Sequence, residues 1–518
     1  MRALPHERFA VPEPVRREDP AVVQRADVRE THTAVVFFVE DRVYKRKKPV
    51  DLGFLDYTTL SSRRAVCERE IDLNRRFSPD VYMGLGELRT PGEQEAEPLV
   101  VMRRMPDDRR LSHLVRTGAP VDEALRAVAR QLAAWHATAP RGPGIADQGT
   151  RDALASRWEA GFAQVDAMAT EGPTPGETAE VERLVRRYLA GRKPLFDLRI
   201  EQDRVLDGHG DLLADDIFCL DDGPRILDCL EFDDRLRYVD GLDDAAFLAM
   251  DLELLGAPES AAFFLTQYSE YSGDPAPPSL WHHYVAYRAF VRAKVSLIQA
   301  RQGAPGAQAA ARRLVLMALR HLRASAVGLT LVAGLPGTGK STLSGALADR
   351  LGAVLLSSDR LRKEMAGLSA QQTAAADYGE GLYTPEWTAR TYAELLERAA
   401  ALLAMGESVV LDATWVDSAQ REAARRTAEN AGADLVALHC HVPGAVAAAR
   451  LTTRTPGASD ADLGVADAMA AEEQPWAEAV GVDTSGSLGS AVAQALAAVR
   501  PWGPDQAKVF RRPYMEPG

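Results

Sequence analysis

The stretch GLTLVAGLPGTGKSTLSGALADRL, residues 328–351, decides the fold of the C-terminal part of the chain. Its first six residues are almost wholly apolar, the pattern of a short strand buried on both faces. Its last eleven place leucines at helical spacing, and between the two lies GLPGTGKS, Gly334–Ser341, which satisfies GxxxxGK[ST] in the strand–loop–helix context that motif requires. Gly334, Gly337 and Gly339 let backbone N–H groups wrap a phosphate, and the helix that follows adds its positive N-terminal end. Lys340 is expected to reach the β- and γ-phosphates of ATP and Ser341 to hold Mg²⁺. Leu335, Pro336, Thr338 and Thr342 complete the expected nucleotide-binding stretch. A Gly-rich turn with no ligand is the alternative, and the agreement of every fixed position with both flanks argues against it.

Downstream, AVLLSSD, SVVLDAT and LVALHCH are short apolar strands separated by amphipathic helices, the grammar of a parallel sheet covered on both faces. Asp359 ends the second strand, 19 residues after Lys340, and Arg362 follows three positions later. A carboxylate at the C-terminal end of a parallel strand faces the ligand crevice. There Asp359 is expected to accept a substrate hydroxyl's proton while Arg362 grips substrate or phosphate; capping the next helix is the competing role for Asp359. Asp412 ends the next strand and is expected to anchor the Mg²⁺ shell. Ala413 follows it where a water-activating carboxylate would serve hydrolysis, which favours phosphotransfer. Arg450 and Arg454, on and just after AVAAARLTTR, are candidate lid arginines. This half resembles the small P-loop kinases of the polynucleotide kinase, zeta toxin and gluconate kinase type, over roughly residues 327–500. The resemblance implies phosphorylation of a hydroxyl group and leaves the substrate open.

Upstream the grammar differs. AVVFFV, then Glu40-Asp41, then VYKRKK reads as strand, tight turn and strand. Val66, Glu70, Leu73 and Phe77 share one helix face, one of them a carboxylate. Lys45 is the expected nucleotide lysine, with Lys47 as fallback on the same strand face, and Glu70 its expected partner, with Glu68 as the alternative. LVVMRRM is a further strand, after which helices dominate. HGDLLADDIFCLDDGPRILDCLEFDDRLRYVD, residues 209–240, carries Asp211 in a loop, a strand IFCL, a turn and a strand RILDCLEF. Asp228 is expected to interrupt that second strand, where an unpaired carboxylate is costly and a metal would account for it. With Asp216 the set is one base and two Mg²⁺ ligands, the complement phosphoryl transfer needs. The competing reading is an acidic surface hairpin.

Over residues 28 to about 320 these features resemble the aminoglycoside phosphotransferase family, whose core is kinase-like. The resemblance implies that HGD is the catalytic loop, with Asp211 orienting and deprotonating the hydroxyl, and that Asp216 and Asp228 bind metal. Arg237 keeps the family's spacing after Asp228. Two departures stand out: Asp216 occupies the position of the family's metal-binding Asn, and the first hairpin lacks the glycine expected over the phosphates. The tyrosines, tryptophan and phenylalanine of WHHYVAYRAF, and His136, read as packing.

The expectation is therefore two domains of α/β and α+β class. Residues 28–322 form a kinase-like domain, with a small β-rich lobe (about 28–105) and a helical lobe (about 106–322). Residues 327–500 form a P-loop α/β domain whose parallel sheet is covered by helices. Residues 1–27 and 501–518 read as loosely ordered ends. A net charge of −13 suits neither a nucleic-acid backbone nor an anionic membrane. Four cysteines without CxxC spacing suggest neither zinc nor a disulfide framework. The N-terminus has no apolar signal region and no run of about 18 apolar residues occurs, so a cytoplasmic location is expected. The whole chain resembles fusions of an aminoglycoside phosphotransferase-like domain with a P-loop kinase domain. That implies an ATP- and Mg²⁺-dependent phosphotransferase acting on hydroxyls of small molecules; the alternative is a P-loop kinase regulated by a catalytically silent kinase-like sensor.

Overall fold

The computed structural model describes residues 27–499 except 32, 52–55, 90–94, 169–171, 370–371, 373–378 and 454–462. The expectations for the two chain ends, and for Arg454, fall outside the described residues. By its internal contacts the chain divides into two compact units, Met1–Met105 and Pro106–Gly518.

Among its described residues the first unit is an antiparallel sheet with one helix. Strands β1 (Asp27–Glu30), β2 (Ala34–Val39) and β3 (Arg42–Lys47) run as a meander, helix α1 (Leu60–Arg75) follows, and β4 (Tyr82–Leu88) and β5 (Glu97–Arg103) complete the order β1-β2-β3-β5-β4. Glu40, in the two-residue turn between β2 and β3, takes φ 51°, the left-handed conformation such a turn demands. The Thr59 hydroxyl caps α1 by accepting from the Ser62 N–H at 3.1 Å. The face read from the sequence is the buried one: Val66, Glu70 and Leu73 of α1, and Phe77 just beyond it, are 9% exposed or less.

The second unit begins with a helical lobe. Its helices are α2 (Leu111–Arg116), α3 (Asp122–Thr138), α4 (Pro143–Ala146), α5 (Arg151–Met168), α6 (Pro175–Ala190), α7 (Lys193–Glu201), α8 (Gly241–Leu254), α9 (Pro258–Ser272), α10 (Pro278–Arg301) and α11 (Ala307–Ala324). Between α7 and α8 two short antiparallel pairs hold the acidic segment: β6 (Val205–Asp207) with β9 (Tyr238–Asp240), and β7 (Ile217–Leu220) with β8 (Gly223–Ile226). One expectation is corrected here. The second strand of the hairpin ends at Ile226, so Asp228 lies beyond the ladder, exposed, with φ 63°. The burial cost argued from an apolar strand does not arise.

The unit continues into a parallel sheet of order β11-β12-β10-β13-β14, formed by β10 (Gly328–Ala333), β11 (Val354–Ser357), β12 (Val409–Asp412), β13 (Asp434–His441) and β14 (Val480–Asp483). All four pairings are parallel. The helices around it are α12 (Lys340–Leu351), α13 (Ser358–Met365), α14 (Pro385–Ala404), α15 (Ser418–Asn430), α16 (Gly444–Thr452), α17 (Leu463–Glu472) and α18 (Leu488–Val499). On one face Val332, Val410, Leu438 and Val482 pack against Leu343 and Leu347 of α12 and Ala491 and Ala495 of α18. Burying these side chains, at about 25 cal/mol per Å² of apolar surface, is the main favourable term holding the layer. The strands' C-terminal ends gather at one edge, where the phosphate-loop residues lie.

The strand-start edge meets the helical lobe. The turn after α14 and the turn after α15 both face it: the Ser279 hydroxyl donates to the Gly406 carbonyl at 2.7 Å, and Arg187 donates to the Ala433 carbonyl at 2.8 Å. Among the described residues no helix is long and apolar enough to cross a membrane.

Candidate functional site

The strand β10 delivers the chain into the phosphate loop, and the loop ends on the first turn of α12, capped by Gly339. Gly334 has φ 139°, and a Cβ there would lie 2.6 Å from Thr338 Oγ1 and 2.8 Å from the Cys440 carbonyl oxygen. Gly337 has φ 84°, and its Cβ would lie 2.8 Å from the Ala447 carbonyl oxygen. Side chains at either position would break the wrap. Lys340 is 8% exposed.

Asp412 stands at the end of β12, in register with Ser357 on one side and Val332 on the other. Burial raises its carboxyl above the ordinary value, with Lys340 and the Ser341 hydroxyl pulling the other way and Asp359 adding to the rise. Its Oδ1 is buried with no hydrogen-bond partner. An orphaned carboxylate oxygen beside a serine hydroxyl is a donor pair that suits a hard, octahedral Mg²⁺, which keeps waters and phosphate oxygens as its other ligands. Ser341 and Asp412 are thus brought together as the sequence suggests.

Asp359 is half-buried at the second position of α13, and no side chain caps that helix at Ser357. The capping role for Asp359 is therefore not the one it plays. Arg362 is buried, but its Nη1 donates to the Leu382 carbonyl at 2.6 Å and to Thr388 Oγ1 at 3.2 Å, and its guanidinium lies over the Tyr383 ring. That arginine is already engaged with the segment leading into α14. Arg450, on α16, donates to the Thr484 carbonyl at 2.8 Å, and its Nη1 lies 3.3 Å from where a Cβ on Gly339 would stand. It sits directly against the phosphate loop.

Two residues here carried no sequence signal. Thr484, in the turn after β14, donates its hydroxyl to the Thr338 carbonyl and ties the loop to the far edge of the sheet. Trp415 is fully buried in a left-handed conformation at φ 55°, its backbone N–H donating to the Tyr392 hydroxyl at 3.2 Å. A tryptophan held there, three residues after Asp412, marks backbone strain next to a candidate metal ligand.

In the N-terminal unit both lysines of β3 converge on one carboxylate. Lys45 Nζ lies 2.9 Å from Glu70 Oε1, and Lys47 Nζ lies 2.7 Å from Glu70 Oε2. Glu68 is exposed, so the sequence alternatives resolve to Glu70 as the shared partner. The Lys47 side chain is 1% exposed and that of Lys45 16%, which leaves Lys45 as the one with access to a ligand.

In the helical lobe the HGD loop is held from behind by Asp244 of α8. Its carboxylate accepts from the N–H groups of His209 (2.7 Å) and Gly210 (2.8 Å) and lies 3.1 Å from His136 Nε2. Burial works to raise Asp244, but the hydrogen bond and charge of His136 and the contacts from His209 outweigh it and hold the carboxyl below its usual range. His136, read from the sequence as packing, is a member of this network and also lies 2.7 Å from the Tyr268 hydroxyl. His209 Nε2 donates to the Leu227 carbonyl at 3.0 Å, and the Leu227 N–H donates to the Asp216 carbonyl at 2.9 Å. This chain of bonds sets Asp211, Asp216 and Asp228 around one loop. Desolvation pushes the Asp211 carboxyl up to about 6; Arg292 opposes the rise, and Asp228 and Asp251 add to it. Arg237 is fully buried, donating to Asp207 at 2.8 Å and Asp234 at 2.9 Å, and so braces the loop rather than facing a ligand. Among the described residues no group of three or more His, Cys, Asp or Glu side chains forms a metal site. Pairs of carboxylates completed by phosphate are the usual protein share of a Mg²⁺ site.

Over 469 residues the chain is 43% identical to the uncharacterized protein Rv2004c of Mycobacterium tuberculosis, covering 90% of this chain and 94% of that protein. The chain belongs to this mycobacterial protein's family. Residues 329–475 match a family model described as an AAA domain, the segment that contains the phosphate loop, Asp359 and Asp412. Among solved structures, a sugar kinase from Janibacter sp. is 18% identical, covering 35% of this chain and 99% of that one with a TM-score of 0.28. The GDP complex of an aminoglycoside 2'-phosphotransferase is 15% identical, covering 58% of this chain and 94% of that one with a TM-score of 0.32.

Proposed function

We propose that this protein is an ATP- and Mg²⁺-dependent kinase that phosphorylates hydroxyl groups of small molecules such as sugars or amino sugars, with two nucleotide-binding centres, one in residues 28–322 and one in 327–500. The observation that carries the reading is the phosphate loop itself: a glycine-shaped wrap at a helix N-terminus, with Lys340 and Ser341 beside the unpartnered Asp412 oxygen. Such an assembly positions a nucleotide's phosphates and neutralises their charge. Ser341 and Asp412 would hold Mg²⁺ there; Asp216 and Asp228 would hold it in the other centre. The metal supplies charge neutralisation on the phosphates. In the P-loop centre Asp359 accepts the hydroxyl proton and Arg450 meets the charge on the transferring group. In the helical lobe Asp211 takes the proton, its carboxyl lifted toward the pH at which a general base works best; in the N-terminal unit Lys45, held by Glu70, is the residue offered to a nucleotide.

A second reading makes the kinase-like half a silent sensor that regulates the P-loop half. Asp216 in place of an Asn, and a Glu40-Asp41 turn where a glycine would cover the phosphates, favour it. ADP release by the full-length protein with Mg-ATP, across sugars, amino sugars, aminoglycosides and nucleosides, tests both. Turnover lost in Asp211→Asn and retained in Lys340→Ala assigns a kinase to the first half. Turnover lost only in Lys340→Ala supports the sensor reading, and no turnover with any acceptor sinks the proposal.

A further inference from the structure

Two arginines one turn apart on α10 are treated very differently. Arg288 is buried and bidentate on Asp243, at 2.7 and 2.9 Å. Arg292 makes no hydrogen bond among the described residues, and its side chain is 30% exposed. The carboxylate oxygen it faces, Asp211 Oδ1, is 3.9 Å away, beyond hydrogen-bond distance. Its charge also acts on Asp251, which burial raises and which Arg116 of α2 faces as well. Other guanidinium groups of this lobe hold close carboxylates, as Arg199 does with Asp240 and Arg237 with Asp207. A guanidinium carries five N–H donors in a planar fork suited to two oxygens of one anion. Left unsatisfied beside a candidate base, it lowers that base's proton affinity without a compensating bond, unless something anionic occupies the fork.

We infer that Arg292 is the oxyanion receptor of the Asp211 centre, taking a phosphate or carboxylate oxygen at the point where the acceptor hydroxyl meets Asp211. The inference rests on the reading of Asp211 as the base of a phosphotransferase. In that reaction the hydroxyl proton passes to Asp211 as its oxygen bonds to the γ-phosphorus. The bond from phosphorus to the bridging oxygen breaks, and the electron pair leaves with ADP. A group within 4 Å of the base reaches either the oxygens of the phosphoryl group in transfer or an acidic substituent beside the accepting hydroxyl. Both are oxyanions, which a guanidinium attracts, whereas it repels the ammonium groups of an aminoglycoside.

The test uses full-length protein in a Lys340→Ala background, which removes phosphate binding at the other loop. Calorimetric titration with inorganic phosphate, glucose 6-phosphate, glucose and kanamycin is compared between parent, Arg292→Gln and Arg292→Lys. Expected is a loss of about tenfold or more in affinity for the anionic probes in Arg292→Gln, a smaller loss in Arg292→Lys, and no change for glucose. Equal affinity of parent and Arg292→Gln for both anionic probes, including binding by neither, overturns the inference. The binding arm decides even if no acceptor is turned over, so its failure is separable from that of the kinase reading. Where an acceptor is found, a fall in kcat at constant acceptor KM assigns the oxyanion to the phosphoryl group, and a raised acceptor KM assigns it to the substrate. Unchanged kcat and KM in Arg292→Gln overturns it.

Discussion

Arg192 of the helical lobe is fully buried, and its Nη1 donates to the carbonyl of Ala431 at 2.7 Å, just past the C-terminal end of α15 in the P-loop domain. A cation at a helix C-terminus is favourable, and this one joins the two halves of the second unit. The backbones approach so closely that a Cβ on Gly191 would lie 1.9 Å from the same Ala431 oxygen. Because this contact is on the strand-start edge of the parallel sheet, the phosphate loop opens at the opposite edge. Gly191→Ala is therefore expected to destabilise the joint by about 1–3 kcal/mol, as overpacking does. Calorimetry reads it as the separation of one melting transition into two; a single unshifted transition would show that the halves do not depend on this contact.

Asp244→Asn should loosen the HGD loop. It keeps the shape but loses the negative charge and one of the oxygens serving His209, Gly210 and His136. Breaking a buried charged pair costs about 3–5 kcal/mol. Denaturant midpoints at constant slope measure the loss, and ADP release dependent on Asp211 should fall with it.

Acid should unfold the protein through its buried histidines. His282 is held well below its usual pKa by burial, with His321 and Arg320 facing it, and His283 is pushed to about 3 by burial with Arg192 nearby and Tyr188 stacked on its ring. Because folding depresses these values, their contribution is full above the unfolded pKa near 6.5 and is lost as pH falls below it. Each adds a slope of about 1.4 kcal/mol per pH unit. Stability measured from pH 7 to 4 should therefore fall, and His283→Gln should flatten that fall; an unchanged slope would exclude His283 as a contributor.

Mg-ATP should stabilise the P-loop domain, by about 2.7 kcal/mol at one hundred times its Kd. Lys340→Ala should abolish the shift, and Asp412→Asn should make it insensitive to EDTA. A melting temperature unmoved by saturating Mg-ATP would remove Lys340 and Ser341 from the list of ligands.

Glu70→Gln should destabilise the N-terminal unit more than Lys45→Met does. The first leaves Lys47, 1% exposed, without its counter-charge; the second leaves the Lys47–Glu70 pair intact. Thermal melts of the two variants compare them directly.

Much of this was legible in linear sequence because it is local. The phosphate loop needs glycines at fixed spacing on a strand–helix turn, the Lys45–Glu70 pairing follows from strand and helix periodicity, and Asp412 follows from a strand's end. RILDCLEF misled, because an apolar run does not say where its ladder stops: β7 is four residues long and so pairs only four. His136 looked like packing because its partners, Asp244 and Tyr268, are more than one hundred residues away.

By itself the sequence determined the two classes of architecture and the chemistry of the phosphate loop, since both rest on residues within a few turns of each other. Tertiary structure alone decided which carboxylates are braced, which arginines are spent on close neighbours, and which edge of the sheet meets the helical lobe. Those outcomes depend on contacts between segments far apart in the chain, where burial and competition for partners set the result.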